Sequence, residues 1–243
     1  MPNWVQTEIH LNGREEDIKK VLELVKSEES EFDFNKLIPM PKELAIDSSS
    51  LNELAIICYT SNKLTIPFEE LDRKYLKHVT NMFNPQWAET LYHDRLPKRK
   101  EDFDELYKLG RVCCSNIDKY DYVCWYEWCI DNWGTKWDAG DVCIDENVVS
   151  FNTAWSVPDP ILEAFAYLCD EHNVTFDGYY ADENRGYNAG YISSENGITE
   201  YDHCSQDALR AYLETWGDCD CIGEDENGNL INYDCDTCPN KCY

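Results

Sequence analysis

The 243-residue sequence is short of positive charge and of long apolar runs. It holds 21 lysines and arginines against 48 aspartates and glutamates, a formal net charge of −27 at pH 7. Like charges repel, so such a chain is poorly suited to bind a nucleic-acid backbone or an anionic membrane surface. No apolar stretch approaches the roughly 20 residues of a membrane span, and the N-terminus lacks the pattern of a secretory signal. We expect a cytoplasmic protein that binds neither nucleic acid nor membrane.

The sequence also lacks the motifs of the common enzyme classes. It contains no P-loop, no G-x-S-x-G nucleophile motif and no H-E-x-x-H zinc motif. Its five histidines are dispersed, so no pair has the spacing of metal ligands. The sequence therefore predicts a binding protein rather than an enzyme.

The chain nevertheless has enough apolar residues for a folded core, with 43% hydrophobic and 13% aromatic residues. Alternating residues predict a strand at 5–11, two strand-like runs around a turn signal predict strands at 142–144 and 148–155, and a further strand is predicted at 174–180. Helical spacing predicts helices at 15–28 and from Asp159, whereas 32–41 is predicted to be extended. Leaving out residues 44–110, the order is β-α-β-β-α-β. We predict an α+β protein with a ferredoxin-like antiparallel sheet and its helices on one face.

Further segments are added to this core. Asn196-Gly197 predicts an extra hairpin, and a last helix is predicted between Ser205 and Gly217. We predict a ferredoxin-like domain over residues 1–203 with a helical insertion at about 44–110. Residues 204–243 then form a C-terminal helix and a cysteine-rich tail.

Five of the thirteen cysteines lie in that tail: Cys219, Cys221, Cys235, Cys238 and Cys242. Thirteen residues separate the C-x-C pair from the last three, and close thiolates on both sides of a turn-rich loop can converge on zinc. Disulfides and free thiols are the alternatives. We predict one structural zinc ion, held by four of the five sulfurs.

The excess acid is concentrated in the later part of the chain. Residues 1–100 have a net charge of −3, whereas residues 101–243 hold 31 acids and seven bases, a net of −24. A solvated face that keeps the protein soluble is one explanation. The alternative is a protein partner whose basic, nucleic-acid-binding surface relieves the repulsion. The predicted protein-binding residues are Asp218, Asp220, Glu224, Asp225, Glu226, Asp234 and Asp236.

A tryptophan motif precedes the second predicted strand. Its members are Trp125, Trp128, Asn132, Trp133, Gly134, Lys136 and Trp137. Large aromatic residues are mostly buried, which favours a structural clasp over the sheet. A base-stacking platform is the alternative, but Lys136 is the one cation at hand among neighbouring aspartates.

Four stretches together resemble the YubB-like ferredoxin-domain family of phages, plasmids and prophages. They are MPNWV, FDFNKLIPMP, WYEWCIDNWGTKWDAGDV and FNTAWSVPDP, within residues 1–41 and about 120–193. The resemblance implies the ferredoxin-like fold and a mobile-element accessory protein that deals with the host.

Three functional hypotheses follow. The first is an acidic inhibitor from a mobile element that occupies the basic groove of a host defence or nucleic-acid-binding enzyme and so mimics nucleic acid. The second is a structural or assembly module of a phage with a zinc-stabilised tail. The third, an enzyme or nucleotide-binding protein that uses the sheet surface, lacks a recognisable nucleophile or phosphate cradle.

Overall fold

The computed structural model describes residues 3–80, 84, 86–96, 102–202 and 208–233. The chain divides into two compact units: the first comprises Met1–Pro39 and Cys129–Tyr243, and the second comprises Met40–Trp128. None of the helices in the described ranges combines the length and apolarity that a bilayer span requires.

In the described residues, the first strand is followed by a run of helices, and the later part of the chain holds most of the strands. The α-helices of the described residues are α1 (Glu15–Val25), α2 (Phe34–Leu37), α3 (Ser50–Thr60), α4 (Arg73–Leu76), α5 (Trp87–Thr90), α6 (Asp102–Tyr120), α7 (Trp125–Trp133), α8 (Asp159–Glu171) and α9 (Ala208–Trp216). Short 3₁₀ turns cover Lys42–Leu44 and Phe68–Glu70, and a π-turn covers Leu91–Arg95. The strands are β1 (Trp4–Asn12), β2 (Gly140–Asp145), β3 (Val148–Ala154), β4 (Thr175–Asp182), β5 (Ala189–Glu195), β6 (Ile198–Asp202), β7 (Ile222–Glu224) and β8 (Leu230–Asn232).

The first unit is built on a six-stranded sheet with the order β2-β3-β1-β4-β5-β6. Every neighbouring pair is antiparallel. The four strands of the β-α-β-β-α-β pattern thus lie as β2-β3-β1-β4, the ferredoxin-like arrangement, which confirms the predicted fold class. The predicted hairpin is also present, because Asn196 and Gly197 adopt the positive φ angles of 53° and 73° that a two-residue turn needs.

An aromatic core covers one face of this sheet. Phe32 stacks on Phe151 of β3 with ring centroids 5.2 Å apart, and it meets Phe165 of α8 edge to face at 5.1 Å. Phe165 in turn stacks on Phe176 of β4 at 5.6 Å. All four rings are buried, so this stack fixes α8 on the sheet.

The last helix, α9, lies on the opposite face. Ala208 and Ala211 pack against Ala181 and Ala189 of the sheet. Ala181 follows the core residue Tyr180 in β4, and successive side chains of a strand point to opposite faces. Small side chains on both elements allow this close packing, and the Trp216 indole N–H donates to the Ala181 carbonyl at 2.9 Å.

The prediction that residues 32–41 are extended is wrong for one turn, the helix α2. The Asp33 carboxylate accepts a hydrogen bond from the Asn35 backbone N–H at 2.8 Å and thereby caps the helix. Pro39 and Pro41 follow soon after and limit the helix to a single turn.

The second unit is helical and is centred on α3 and α6. Gly110 allows the two helices to approach closely, because a Cβ atom there would lie 2.0 Å from the Ala55 carbonyl oxygen. The buried core includes Ile57 of α3 and Ile117 of α6. Burial also raises the pKa of the Cys113 thiol to about 12, so this cysteine is a protonated core residue.

We expect the Gly178→Ala substitution in β4 to lower the free energy of unfolding by about 3 kcal/mol. The added Cβ atom would lie 2.0 Å from the Glu8 carbonyl oxygen of β1, so the two central strands must separate. Gly140→Ala in β2 is the control, since its Cβ atom would meet only the Asn152 carbonyl oxygen, at 3.7 Å. Urea unfolding of both variants provides the measurement, and equal stabilities would contradict the close approach of β1 and β4.

Candidate functional site

Two of the stretches noted in the sequence, FDFN and WGTKWD, meet in the first unit. The Asp138 carboxylate accepts hydrogen bonds from the backbone N–H groups of Phe34 at 3.0 Å and Ala139 at 2.8 Å. The Trp133 indole N–H donates to the Ile38 carbonyl at 2.9 Å, and its ring meets Phe34 edge to face at 5.8 Å. Asp33, Phe34, Trp133 and Asp138 therefore form one contact region, here called the motif junction.

The motif junction contains two neighbouring carboxyl groups, Asp33 and Asp138, whose pKa values are shifted in opposite directions. Burial raises the pKa of Asp138 to about 6, and the nearby Asp33 adds to this effect against the backbone N–H groups that lower it. Burial alone would also raise the pKa of Asp33. Hydrogen bonds from Ser27, Asn35 and Asp138 outweigh the effect of burial, so the pKa of Asp33 is lowered. As the pH falls, Asp138 is therefore protonated before Asp33. Sequence analysis missed this pair because the two residues are far apart in the chain.

The tryptophan motif is divided between the two units. Trp125 is half-buried and Trp128 is buried in the second unit, whereas residues 129–137 belong to the first. Gly134 has a φ of +75°, and a Cβ atom there would lie 2.8 Å from Pro160 Cδ. Next to it, the Thr135 hydroxyl donates to the Ala154 carbonyl at 2.9 Å. The end of the motif is thus attached to β3 and to the start of α8.

Of the remaining members of the motif, Trp137 is exposed, whereas Asn132 and Lys136 are half-buried. The Lys136 ammonium lies 4.2 Å from the ring centroid of Trp137 and 5.2 Å from that of Trp155. We call Lys136, Trp137 and Trp155 the tryptophan platform. Sequence analysis missed Trp155 because it belongs to a different stretch, at the end of β3, and the fold alone places it beside Lys136.

The tail is described as far as Tyr233, so Cys235, Cys238 and Cys242 lie outside the described residues. The small hairpin β7-β8 returns the chain to the C-x-C pair, because the Tyr233 backbone N–H donates to the Cys221 carbonyl at 2.8 Å. Cys221 is buried and Cys219 is half-buried. In the described part of the chain, no group of three or more His, Cys, Asp or Glu side chains is arranged to hold a metal ion.

An arginine that sequence analysis did not single out lies beside Cys219. Arg185 Nη1 donates a hydrogen bond to Cys219 Sγ at 3.1 Å. Partial burial alone would raise the pKa of the Cys219 thiol. The hydrogen bonds from Arg185 and from the Cys221 backbone outweigh the effect of burial, so the pKa is lowered. The local environment therefore favours a thiolate at Cys219.

The predicted protein-binding acids occupy the same hairpin region. Asp218, Asp220, Glu224 and Glu226 are exposed, whereas Asp234 and Asp236 lie outside the described residues. Asp225 has a structural task, because its carboxylate accepts the backbone N–H groups of Asn227 and Asn229 at 2.8 Å each. Hydrogen bonds from Asn229, the largest contribution, lower the pKa of Asp225.

The two units differ strongly in charge. The first unit has 33 acidic and nine basic residues, a net charge of −24, whereas the second has 15 and 12, a net of −3. Exposed acids of the first unit occur on α1, in the β2-β3 turn, on α8 and β6, and in the β7-β8 hairpin. The predicted tail residues are therefore one of several places at which this unit exposes carboxylates.

Residues 132–222 match the model of the ferredoxin-like domain in Api92-like protein. The match runs from the end of α7 into β7 and includes strands β2 to β6, in agreement with the observed sheet. The crystal structure of a protein api92 from Yersinia pseudotuberculosis is similar at 10% sequence identity and a TM-score of 0.37. That alignment covers 84% of this chain and 99% of the other. No curated protein matches. The narrower YubB-like assignment and its mobile-element context stay predictions.

We expect Asp138→Asn to remove a pH dependence of stability. A carboxyl group whose pKa is raised in the folded state contributes most to stability at pH values below its pKa in the unfolded chain, which is about 4. This contribution is lost as the pH rises through the folded-state pKa of about 6. The loss in the wild type is about 2 kcal/mol. The asparagine can still accept the Phe34 and Ala139 N–H groups, so its free energy of unfolding should stay flatter over this range.

Urea unfolding at intervals between about pH 4 and about pH 7 provides the measurement, since that window spans both pKa values. The exposed Asp141→Asn is the control for the loss of one carboxylate. If the Asp138→Asn and Asp141→Asn variants follow the same pH profile, the raised pKa of Asp138 is ruled out.

Proposed function

We propose that the protein is an acidic protein-binding accessory protein whose first unit occupies a basic, nucleic-acid-binding surface of a partner. The observation that carries the proposal is the concentration of net charge in one of two units, −24 against −3. A general need for solubility would act on both units alike. The unequal distribution supports a specific role for the acidic unit.

The acidic unit has far fewer positive than negative side chains, and a basic partner would supply the missing positive charge. The first unit has 33 acidic and nine basic residues, so its own cations cannot balance most of its carboxylates. A cationic partner surface relieves their mutual repulsion and releases the counterions that both surfaces hold. Such complementarity speeds association and selects basic partners, and no catalytic group is required. The finer form of the proposal is inhibition of a host defence or nucleic-acid-binding enzyme by mimicry of nucleic acid.

A second candidate function is an assembly module with a zinc-held tail, which the β7-β8 hairpin favours. The hairpin joins Ile222 to Asn232, so the chain leaves β8 beside Cys221 and close to the first sulfur pair. A single zinc ion would be bound by Cys219, Cys221 and two of Cys235, Cys238 and Cys242. Four thiolates fill a tetrahedral shell, so this zinc would be structural.

Binding to the basic partner should weaken steeply with salt. The immobilised protein should retain nucleic-acid-binding proteins from a bacterial lysate at about 50 mM salt and release most of them at about 200 mM, as expected for paired charges. Mass spectrometry identifies the retained proteins. Recovery of no nucleic-acid-binding protein at low salt would refute the proposed function.

A matched pair of charge variants locates the contact surface. The fourfold variant Asp218→Asn, Asp220→Asn, Glu224→Gln and Glu226→Gln should weaken binding of a retained partner by about tenfold. The control neutralises four exposed acids on α8 and on the β5-β6 hairpin, through Asp170→Asn, Glu171→Gln, Glu195→Gln and Glu200→Gln. An equal loss in both variants would show that total charge, rather than the tail surface, determines binding.

Metal analysis tests the proposed zinc site. Protein purified under reducing conditions should contain about one equivalent of zinc, and Cys221→Ser should reduce the content below about half an equivalent. Cys143→Ser removes an exposed cysteine of β2 and should leave the zinc content unchanged. A wild-type content below half an equivalent would remove zinc from the account.

A further inference from the structure

The tryptophan platform presents two large aromatic side chains to solvent. Trp155 is 43% exposed and Trp137 is 36% exposed, although tryptophan is usually buried for most of its surface. Exposed tryptophans that lie close together are frequent at the centre of protein interfaces, where they contribute most of the binding energy. The pair is therefore a candidate contact point, separate from the acids of the hairpin.

The backbone fixes the position of Trp155. Its φ is +72°, a left-handed conformation that is costly for a bulky residue and persists only when surrounding contacts impose it. Its N–H donates to the Asn3 carbonyl at 2.9 Å, and its carbonyl accepts a hydrogen bond from the Asn188 side chain at 3.1 Å. On the other side of the platform, Trp4 packs beside Trp137 with ring centroids 6.0 Å apart. The backbone of Trp155 and the ring of Trp137 thus have contacts that hold them before any partner arrives.

The contact that the two indole rings already make with an ammonium group indicates which kind of side chain the platform can bind. The Lys136 ammonium lies near both rings, 4.2 Å from one centroid and 5.2 Å from the other. A cation over an indole face is attracted by the negative charge of the ring face. The two faces that Lys136 occupies would therefore also attract an arginine or lysine from another molecule.

The charge of the surrounding unit selects among possible occupants. A nucleobase could stack on an exposed indole, but its phosphates would have to approach a unit with a net charge of −24. A cationic side chain meets attraction from the aromatic rings and from the acidic surface together. The combination favours an arginine or lysine of a basic protein.

We propose that the tryptophan platform is the anchor for an arginine or lysine side chain of the partner, which competes there with Lys136. This inference rests on the proposed function, since it takes the basic protein partner from it. It adds a specific aromatic contact to the general attraction of charge. The contact would determine how a cationic partner is oriented on the acidic unit.

Titration with an acetylated hexa-arginine amide, followed by tryptophan fluorescence at about 150 mM salt, tests the proposal where surface charges are largely screened. Trp137→Ala should weaken peptide binding by about two- to fivefold, the range for an exposed cation–π contact. Trp155→Asn should do the same, and asparagine tolerates the positive φ at that position. Tyr167→Ala is the control, because Tyr167 is an aromatic residue of α8 that is 64% exposed.

A substitution that should strengthen peptide binding, rather than weaken it, makes the test more specific. Lys136→Met removes the competing ammonium and should strengthen peptide binding more than Arg210→Met does, although both remove one positive charge from the same unit. Equal strengthening by the two variants would show that net charge alone acts, and would overturn the proposal. Isothermal titration calorimetry should give the same order of affinities without reliance on tryptophan fluorescence.

Two further outcomes are decisive. Binding of single-stranded oligothymidylate that depends on Trp155 would identify a base-stacking platform and overturn the proposal. Loss in Tyr167→Ala equal to that in the platform variants would do so as well. A partner from the lysate could be retained with steep salt dependence while the platform variants bind it normally. The proposed role of the tryptophan platform would then be refuted, and the proposed function would stand.

Discussion

The mutual repulsion of 33 acidic side chains is the constraint on which the rest of the first unit depends. The fold tolerates it because the centre of the unit is held by interactions that charge does not weaken. The stack of Phe32, Phe151, Phe165 and Phe176 buries large apolar surfaces between sheet and helix. Many of the carboxylates are exposed to water, whereas Asp182 is buried and Asp138 is partly buried.

Much of the fold could be predicted from the sequence because its elements carry local signals. The alternation of residues 5–11 appears as β1, and Asn196-Gly197 forms the turn between β5 and β6. The segment 32–41 shows the limit of such signals. Its prolines indicate an extended chain, but one side chain, Asp33, caps a helical turn whose presence depends on a local hydrogen bond.

The candidate sites were harder to predict because they join residues that are distant in the chain. Asp33 and Asp138 shift each other's pKa, and Lys136 lies beside Trp155, only because the fold brings their segments together. Arg185 and Cys219 are a third example, from the β4-β5 loop and the tail. The charge segregation was visible in the sequence, but its assignment to a compact unit required the structure. The insertion predicted at about 44–110 lies within Met40–Trp128, and the proposed boundary at residue 203 stays a prediction.

Competition with duplex DNA tests the central claim most directly. A nucleic-acid-binding protein retained by the chain is first loaded with fluorescently labelled DNA, and the chain is then titrated in at about 150 mM salt. If the acidic unit occupies the surface that holds the phosphates, the DNA must be released as the protein complex forms, with one midpoint for both events. A stable complex that contains the chain, the partner and the DNA together would contradict the account.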